Sequence, residues 1–453
     1  MKGNKRDPAM IDFPKVQQVS NKYLEKIVRD ADARTIQLIE GLDDDQLMGP
    51  KLNIVNPMLW CIGHTAWFYE KFILRDRENL APILDYGDTL YDSMAVAHNT
   101  RWDLNLPDLE TTIKYRETIR DLILERLGSD KLASAENSYF LQLTVFHEDM
   151  HDEALTYTRQ TLGYPRPPFV ESVPVSIEGG GPYPGDVEIP GGVHMLGSRP
   201  TAPFFMDNEK WGQGYEVKPF SISKAPVTNE EFAEFVDARG YQREELWTSA
   251  GWQWRSKVGA EHPFHWKKIE GNWHTKYFDK FEVLHPYEPV VYVNWFEAMA
   301  WCKWAARRLP WEGEWEVAAS RIPQVDSDTL QGPENRYPWG NEIATSNHAN
   351  LDGFYGRPVD VGAFSRGDSA YGCRQMMGNV WEWTQSVFMG FEGFVPDPYA
   401  DYSKPWFDGQ HAVLRGGSWA TRNRIVWNTF RNFYTCDRRD VIAGFRTCAL
   451  DLA

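Results

Sequence analysis

The sequence predicts an α+β protein of two domains: a four-helix bundle over residues 1–165, a linker at 166–185, and an irregular α+β domain over 186–453. Three observations carry this. Up to Gly163 the apolar residues recur at helical spacing. From Pro165 to Gly192 the chain is rich in proline and glycine, with Gly179-Gly180-Gly181-Pro182 at its centre, and neither helical nor strand period is present. Beyond it short strands, turns and tryptophans take over.

Taken in order, Val19, Tyr23, Ile27, Ala31, Ile36 and Ile39 mark a first helix. Pro57 sits where it can open a second, through Trp60, His64, Trp67 and Phe68. A third runs from Leu109 to Leu127 behind Pro107, and a fourth from Ser138 to Leu162, stopped by Gly163-Tyr164-Pro165. Four such helices form a bundle, a common place to build a metal site from facing side chains. In the second domain Phe220–Ser223, Pro289–Val293 and Val413–Trp419 read as strands, and Asn229–Ala238 and Trp295–Arg307 as helices. Loops outweigh regular elements there, so buried aromatics, Trp339, Trp381, Trp383 and Trp419 among them, must carry much of the core.

A chain of 453 residues with 42% hydrophobic and 14% aromatic residues can bury two or three cores. Its net charge of −16 leaves no basic patch for nucleic acid or an anionic membrane, which points to small-molecule chemistry. Cys61, Cys302, Cys373, Cys436 and Cys448 are odd in number and widely separated, which argues against a disulfide framework. The N-terminus shows no signal-peptide pattern and no stretch approaches the ~18 apolar residues of a membrane span, so the cytoplasm is the expected compartment.

The most informative segment is Phe146-His147-Glu148-Asp149-Met150-His151-Asp152-Glu153. On a helix rising ~1.5 Å per residue, His147 and His151 project from one face one turn apart, close enough to share a metal ion. His64 lies in a strongly apolar helix, where an unpaired polar ring is costly to bury, and a third ligand is the simplest use for it. The alternative is a solvated helix face whose outer surface is formed by Glu148, Asp149, Asp152 and Glu153. Three histidines suit Fe(II), Zn(II) or Cu(II), and spacing does not choose among them.

A series of later motifs is specific: Ala225-Pro226-Val227-Thr228-Asn229-Glu230-Glu231-Phe232, Val293-Asn294-Trp295-Phe296-Glu297-Ala298, Arg308-Leu309-Pro310-Trp311-Glu312-Gly313-Glu314-Trp315-Glu316, Tyr337-Pro338-Trp339-Gly340, Met377-Gly378-Asn379-Val380-Trp381-Glu382-Trp383, Arg415-Gly416-Gly417-Ser418-Trp419 and Gly444-Phe445-Arg446. They resemble the signature of the formylglycine-generating-enzyme (sulfatase-modifying-factor) fold, a variant of the C-type lectin fold. A DinB-like helical domain with His64 and His147-x-x-x-His151 ahead of that fold resembles the non-heme iron sulfoxide synthases of ergothioneine and ovothiol biosynthesis. The resemblance implies that His64, His147 and His151 hold Fe(II), that O2 is a co-substrate, and that hercynine reacts with a chalcogen nucleophile at the carbon between its ring nitrogens. Leu90–Trp102, His147–Ala154 and Phe205–Trp211 are most similar to the selenoneine synthase branch, whose donor is a selenosugar in place of cysteine or γ-glutamylcysteine.

The same resemblance implies a substrate wall. Asn432 and Phe433 would face the betaine, whose quaternary ammonium suits an aromatic surface, with Met150, Phe388, Phe391 and Tyr434 alongside. Arg438 and Arg101 would bind the donor by forked hydrogen bonds, or else serve as structural ion pairs. The catalytic tyrosine that follows Trp-Glu-Trp in one branch is replaced here by Phe388, Met389 and Phe391, and the tyrosine pair of another by Ser93-Met94. Tyr91, Tyr399 or Tyr402 would then supply the acid. A selenol ionises more readily than a thiol, whose pKa is ~8.5, and so needs less help from such a group. Each ligating imidazole needs an acceptor on its second nitrogen, for which Glu148, Asp149 and Asp152 are candidates, unless they are simply solvated. The cysteine pair of the formylglycine enzymes is not evident. Two other readings of the whole remain: a DinB-type zinc or nickel thiol transferase or hydrolase, and a binding module without catalysis.

Overall fold

The computed structural model describes residues 18–169, 179–324, 330 and 332–450; the centre of the expected linker lies outside them. Among the described residues six α-helices precede the first strand: α1 (Asn21–Ile39), α2 (Asp44–Met48), α3 (Met58–Tyr69), α4 (Gly87–Tyr91), α5 (Leu109–Gly128) and α6 (Ala135–Leu162). The three longest helices start where a side chain can serve the orphan amides of the first turn: Ser20 accepts from the Tyr23 N–H, Asp108 from Thr111 and Ser134 from Asn137. α6 stops at Gly163, whose φ of 68° is the left-handed cap that glycine tolerates best. α1, α3, α5 and α6 pack around one core as the expected four-helix bundle. α3 runs on into a π-helical turn, Glu70–Arg75, which turns the buried Glu70 carboxylate to the Tyr115 hydroxyl and the Ile83 N–H.

α6 is buried on nearly every side from Ser138 to Gln160. A helix covered all round needs a second partner beyond its own bundle, and the following domain supplies it. Tyr139, Phe146, Glu153 and Gln160 fall at intervals of seven, which returns to one side of the helix every two turns. All four meet the second domain. The Tyr139 hydroxyl donates to Asp397 at 2.9 Å; Phe146 lies 4.7 Å from Phe204; Glu153 is described below; Gln160 donates to the Lys276 carbonyl and accepts from the Phe278 N–H, both at 2.7 Å.

The second domain contains β1 (Asp186–Ile189), β2 (Gly192–Leu196), β3 (Gln213–Val217), β4 (Phe220–Ser223), α7 (Asn229–Asp237), α8 (Ser249–Val258), β5 (Trp266–Ile269), β6 (Asn272–Tyr277), β7 (Lys280–Val283), α9 (Trp295–Trp304), β8 (Arg307–Arg308), α10 (Glu312–Ser320), β9 (Trp381–Val387), β10 (His411–Arg415), β11 (Asn432–Thr435), β12 (Ala443–Gly444) and β13 (Cys448–Ala449). Its central sheet has the order β11-β10-β9-β12, with β10 antiparallel to both neighbours and β12 parallel to β9. A second sheet, β1-β4-β13-β8, closes the domain.

Three expected elements differ. Val290–Val293 are buried but form no strand, because Pro289 makes only an isolated bridge and Tyr292, at φ 62°, leaves the extended region. The strand expected over Val413–Trp419 ends at Arg415, since Gly416 and Gly417 take φ of 95° and 82°. The helix from Trp295 stops at Trp304 and the chain then enters β8. Trp381, Trp383 and Trp419 are buried, and Trp339 stacks between Tyr337 and His348. All five cysteines are free thiols, and among the described residues no helix is long and apolar enough to cross a membrane.

Candidate metal centre

The first of the three histidines is set by helix termini. α4 ends with carbonyls that have no intrahelical partner. Two side chains one turn apart on α3 satisfy them: Trp60 Nε1 donates to the Leu90 carbonyl at 2.7 Å and His64 Nδ1 to the Tyr91 carbonyl at 2.7 Å. A carbonyl only accepts, so Nδ1 carries the proton and Nε2 presents a bare lone pair. It points at α6, where His147 Nε2 lies 3.3 Å away. One ligand atom each from His64, His147 and His151 falls within 4.8 Å of the others, and the ring centroids are 4.6–5.0 Å apart.

Burial lowers all three imidazoles: His64 to about 4, against the opposing pull of the Tyr91 hydrogen bond, and His147 and His151 well below their ordinary value, with neighbouring imidazoles adding to the shift. Each ring is therefore neutral at pH 7, the form that binds a metal. His147 Nδ1 and His151 Nδ1 are buried without a hydrogen-bond partner among the described residues. Three neutral nitrogens converging on one point in an apolar shell cost free energy when left to themselves, and a shared cation removes that cost. The donor set fits a divalent transition metal.

Aromatic rings cage this point. Trp60 stacks on His64 at 4.6 Å, Phe68 on His147 at 3.8 Å, and Tyr399, from the long β9–β10 connection, meets His147 edge-on at 5.8 Å. Tyr399 also lies 4.9 Å from Phe68, so the second domain contributes directly to the centre. Its phenol is pushed up to about 12, chiefly by burial, while the Ser93 hydroxyl pulls the other way. Tyr402 stands behind it at 6.2 Å.

The carboxylates of the motif do other work. Glu148, Asp149, Asp152 and Glu153 are all buried, so the solvated face is not present, and none touches a histidine, so they do not orient the rings. Glu148 meets Arg116 at 2.5 Å and, with Asp152, the Thr35 hydroxyl, which fixes α6 to α1 and α5. Asp149 takes a two-pronged contact from Arg424 at 2.6 and 2.7 Å, and Glu153 accepts from Trp381, Ser418 and Thr421, each at 2.7 Å. The two neighbouring turns that carry His147 and His151 thus dock on the second domain.

The expected substrate wall is only partly assembled. Asn432 and Phe433 are neighbours on β11 and so face opposite sides of the sheet. Phe433 stacks on Phe388 at 4.0 Å, while Tyr434 carries the Arg438 guanidinium at 5.0 Å, with Tyr157 of α6 at 5.8 Å. Arg438 is held by Asp440 at 2.6 and 2.7 Å, the structural ion pair of the two expected alternatives. Arg101 lies 3.9 Å over Trp60 and spends its fork on Asn56 and on the carbonyls of Ser93 and Val96. Phe391 packs on Arg431 and against Gly197, and Met150 is half-buried on α6 between His147 and His151. The Tyr91 phenol packs over Gly63 and beside Tyr115, so this residue serves His64 through its carbonyl and is not placed as an acid.

Gly63 went unremarked in the sequence, although it precedes His64. A Cβ there would lie 2.3–2.5 Å from the Tyr91 ring and hydroxyl. Gly63→Ala should displace Tyr91, cost about 1–3 kcal/mol of stability, and weaken metal binding by ~10–100-fold through the lost His64 contact. Titration of Fe(II) against a competing chelator checks this, and unchanged affinity would show that the Tyr91 carbonyl does not matter.

Bundle, centre and cover define a two-domain class: a DinB-like helical domain presenting three histidines to a lectin-like domain. Comparison with known proteins agrees. Residues 28–155 match the DinB superfamily and residues 175–451 the sulfatase-modifying factor enzyme 1-like domain. The chain is 35% identical to the hercynine oxygenase of Mycolicibacterium smegmatis, covering 91% of this chain and 95% of that one, and 35% identical to the hercynine oxygenase of Mycobacterium tuberculosis, covering 92% and 96%. The formylglycine-generating enzyme of Streptomyces coelicolor is 29% identical and covers 59% of this chain. This chain belongs to the hercynine oxygenase family, the ergothioneine-type sulfoxide synthases.

Proposed function

We propose that this protein is a non-heme iron(II), O2-dependent enzyme that joins a chalcogen to the carbon between the two ring nitrogens of hercynine, with a selenosugar as donor. The observation that carries the reading is the convergence of three neutral, buried imidazoles in a chain that matches hercynine oxygenases over nine-tenths of its length. His64, His147 and His151 would hold the iron. When bound, the ion supplies O2 activation and a positive charge that favours an anionic nucleophile. The remaining work falls to the chain. Trp60 and Phe68 exclude water from two sides, and the Tyr91 carbonyl fixes the His64 tautomer. The Tyr399 phenol, protonated at neutral pH as any tyrosine is, stands edge-on to His147, where it can deliver a proton to a group formed there.

The donor has two readings. Selenium is favoured by the segments that resemble the selenoneine branch and by Phe388, which is fully buried on Phe433 and offers no hydroxyl. Sulfur is favoured by the named relatives and by Tyr399, which places a phenol at the centre from a different stretch of chain than the usual one. Equal amounts of selenosugar and cysteine, offered together with hercynine, Fe(II) and O2, decide between them by mass spectrometry. Predominant C–Se product is expected; predominant C–S product, from cysteine or from γ-glutamylcysteine in a parallel assay, returns the enzyme to sulfur chemistry.

A further inference from the structure

Tyr399 sits in the long connection between β9 and β10, which contains no strand or α-helix, yet its ring is packed at one defined place against Phe68 and His147. A loop of that length does not hold a side chain to a fixed position without anchors. The anchors stand on both sides of it. Two residues before Tyr399, the Asp397 carboxylate takes the Tyr139 hydroxyl of α6 at 2.9 Å and the Lys210 ammonium, all three groups being buried. Four residues after it, the buried Ser403 hydroxyl donates to Asp207 at 2.5 Å. Asp207 and Lys210 belong to one short turn, Met206–Lys210, whose Glu209 is itself fixed by Trp427 and Thr429. The far end of the ring is met by the bundle: the Ser93 hydroxyl stands at the phenol, and the Ser93 carbonyl is held by Arg101.

We propose that Asp397, Ser403 and Arg101 are positioning residues, a clamp that sets the Tyr399 phenol against the histidine centre from three directions. This rests on the reading of Tyr399 given above. The Tyr139 hydroxyl makes the clamp shared between domains, because it rises from the same helix as His147 and His151, two turns before His147. Any shift of α6 against the second domain therefore moves ligands and clamp together. None of the three positioning residues needs to touch substrate; Arg101 in particular has its fork occupied. Its place over Trp60 also ties the clamp to the indole that stacks on His64.

The test is a double-mutant cycle in the iron-loaded full chain, with hercynine and the preferred donor. Ser403→Ala removes one anchor, taking its hydroxyl donor from the buried Asp207 while the Asp397–Lys210 pair stays intact; Asp397→Asn weakens the other at conserved shape. If a displacement of ~1 Å costs up to 10²-fold in turnover, kcat should fall by about 10-fold for Ser403→Ala and by up to about 100-fold for Asp397→Asn. KM for hercynine and iron content should stay unchanged, and less product should form per O2 consumed. In a Tyr399→Phe background the same changes should add no further loss, because residues acting through one group are non-additive. Additive losses, or a fall in iron content matching the fall in kcat, would overturn the clamp. Tyr399→Phe with undiminished turnover would instead remove the role assigned to Tyr399. Should Asp397→Asn not fold, Ser403→Ala carries the same comparison.

Discussion

His147→Ala is expected to bind no stoichiometric iron and to lose turnover by far more than the ~10–100-fold that follows loss of an outer-shell partner. The magnitude follows from position. His147 shares α6 with His151, presents Nε2 3.3 Å from His64 Nε2, and is packed by Phe68 on one face and Tyr399 at its edge, so no other side chain can move in to replace it. The fold should survive. The imidazole removed has an unpartnered Nδ1 in a dry site, so its deletion relieves a buried polar group of about 1–3 kcal/mol while opening a small cavity of opposing sign. Melting with and without Fe(II), under anaerobic conditions, separates the two effects. Wild type at 100-fold excess over Kd should gain about 2.7 kcal/mol from the metal, and the variant nothing. A metal-induced shift retained in His147→Ala would place the site elsewhere.

The four bundle helices and the His64, His147 and His151 set were legible in the sequence because both depend on a period of 3.6 residues and on one apolar context. What surrounds the ligands was not. Glu148, Asp149, Asp152 and Glu153 have the composition of a wet helix face, and only residues far along the chain, Trp381, Ser418, Thr421 and Arg424, reveal that they are buried. Tyr399 lies in a segment with no period, so nothing local places it on His147. The Tyr91 carbonyl was out of reach for another reason: a backbone acceptor at a helix end is invisible in residue types. Val290–Val293 read as a strand because a run buried on every side has the same composition whether or not it pairs.

Glu153 shows how much the docking of the two domains depends on one buried acid. Its Oε1 accepts from Trp381 Nε1 and from the Ser418 hydroxyl, and its Oε2 from the Thr421 hydroxyl. Burial raises its pKa, and the three donors oppose that rise by favouring the carboxylate. Glu153→Ala strips all three donors at once in a site closed to water. A loss of about 3–5 kcal/mol is expected, because neutral donors are left without an acceptor in a buried site at about 1–3 kcal/mol each. Glu153→Gln should behave differently. Its carbonyl can occupy the Oε1 position and keep Trp381 and Ser418, while its amide N–H would face Thr421, whose hydroxyl can rotate from donating to accepting. A loss of no more than about 1.5 kcal/mol is expected. The pH dependence carries the sign. A carboxyl whose folded pKa lies above its unfolded value binds protons more tightly in the folded state, so at this site wild type is relatively better off as pH falls through the raised folded pKa and pays most at higher pH. The glutamine, which cannot ionise, lacks this dependence, and the wild-type advantage over it should shrink as pH rises. Urea unfolding of wild type and both variants at several pH values measures this. Equal losses for alanine and glutamine would mean that the carboxylate itself, not its hydrogen bonds, holds the domains together.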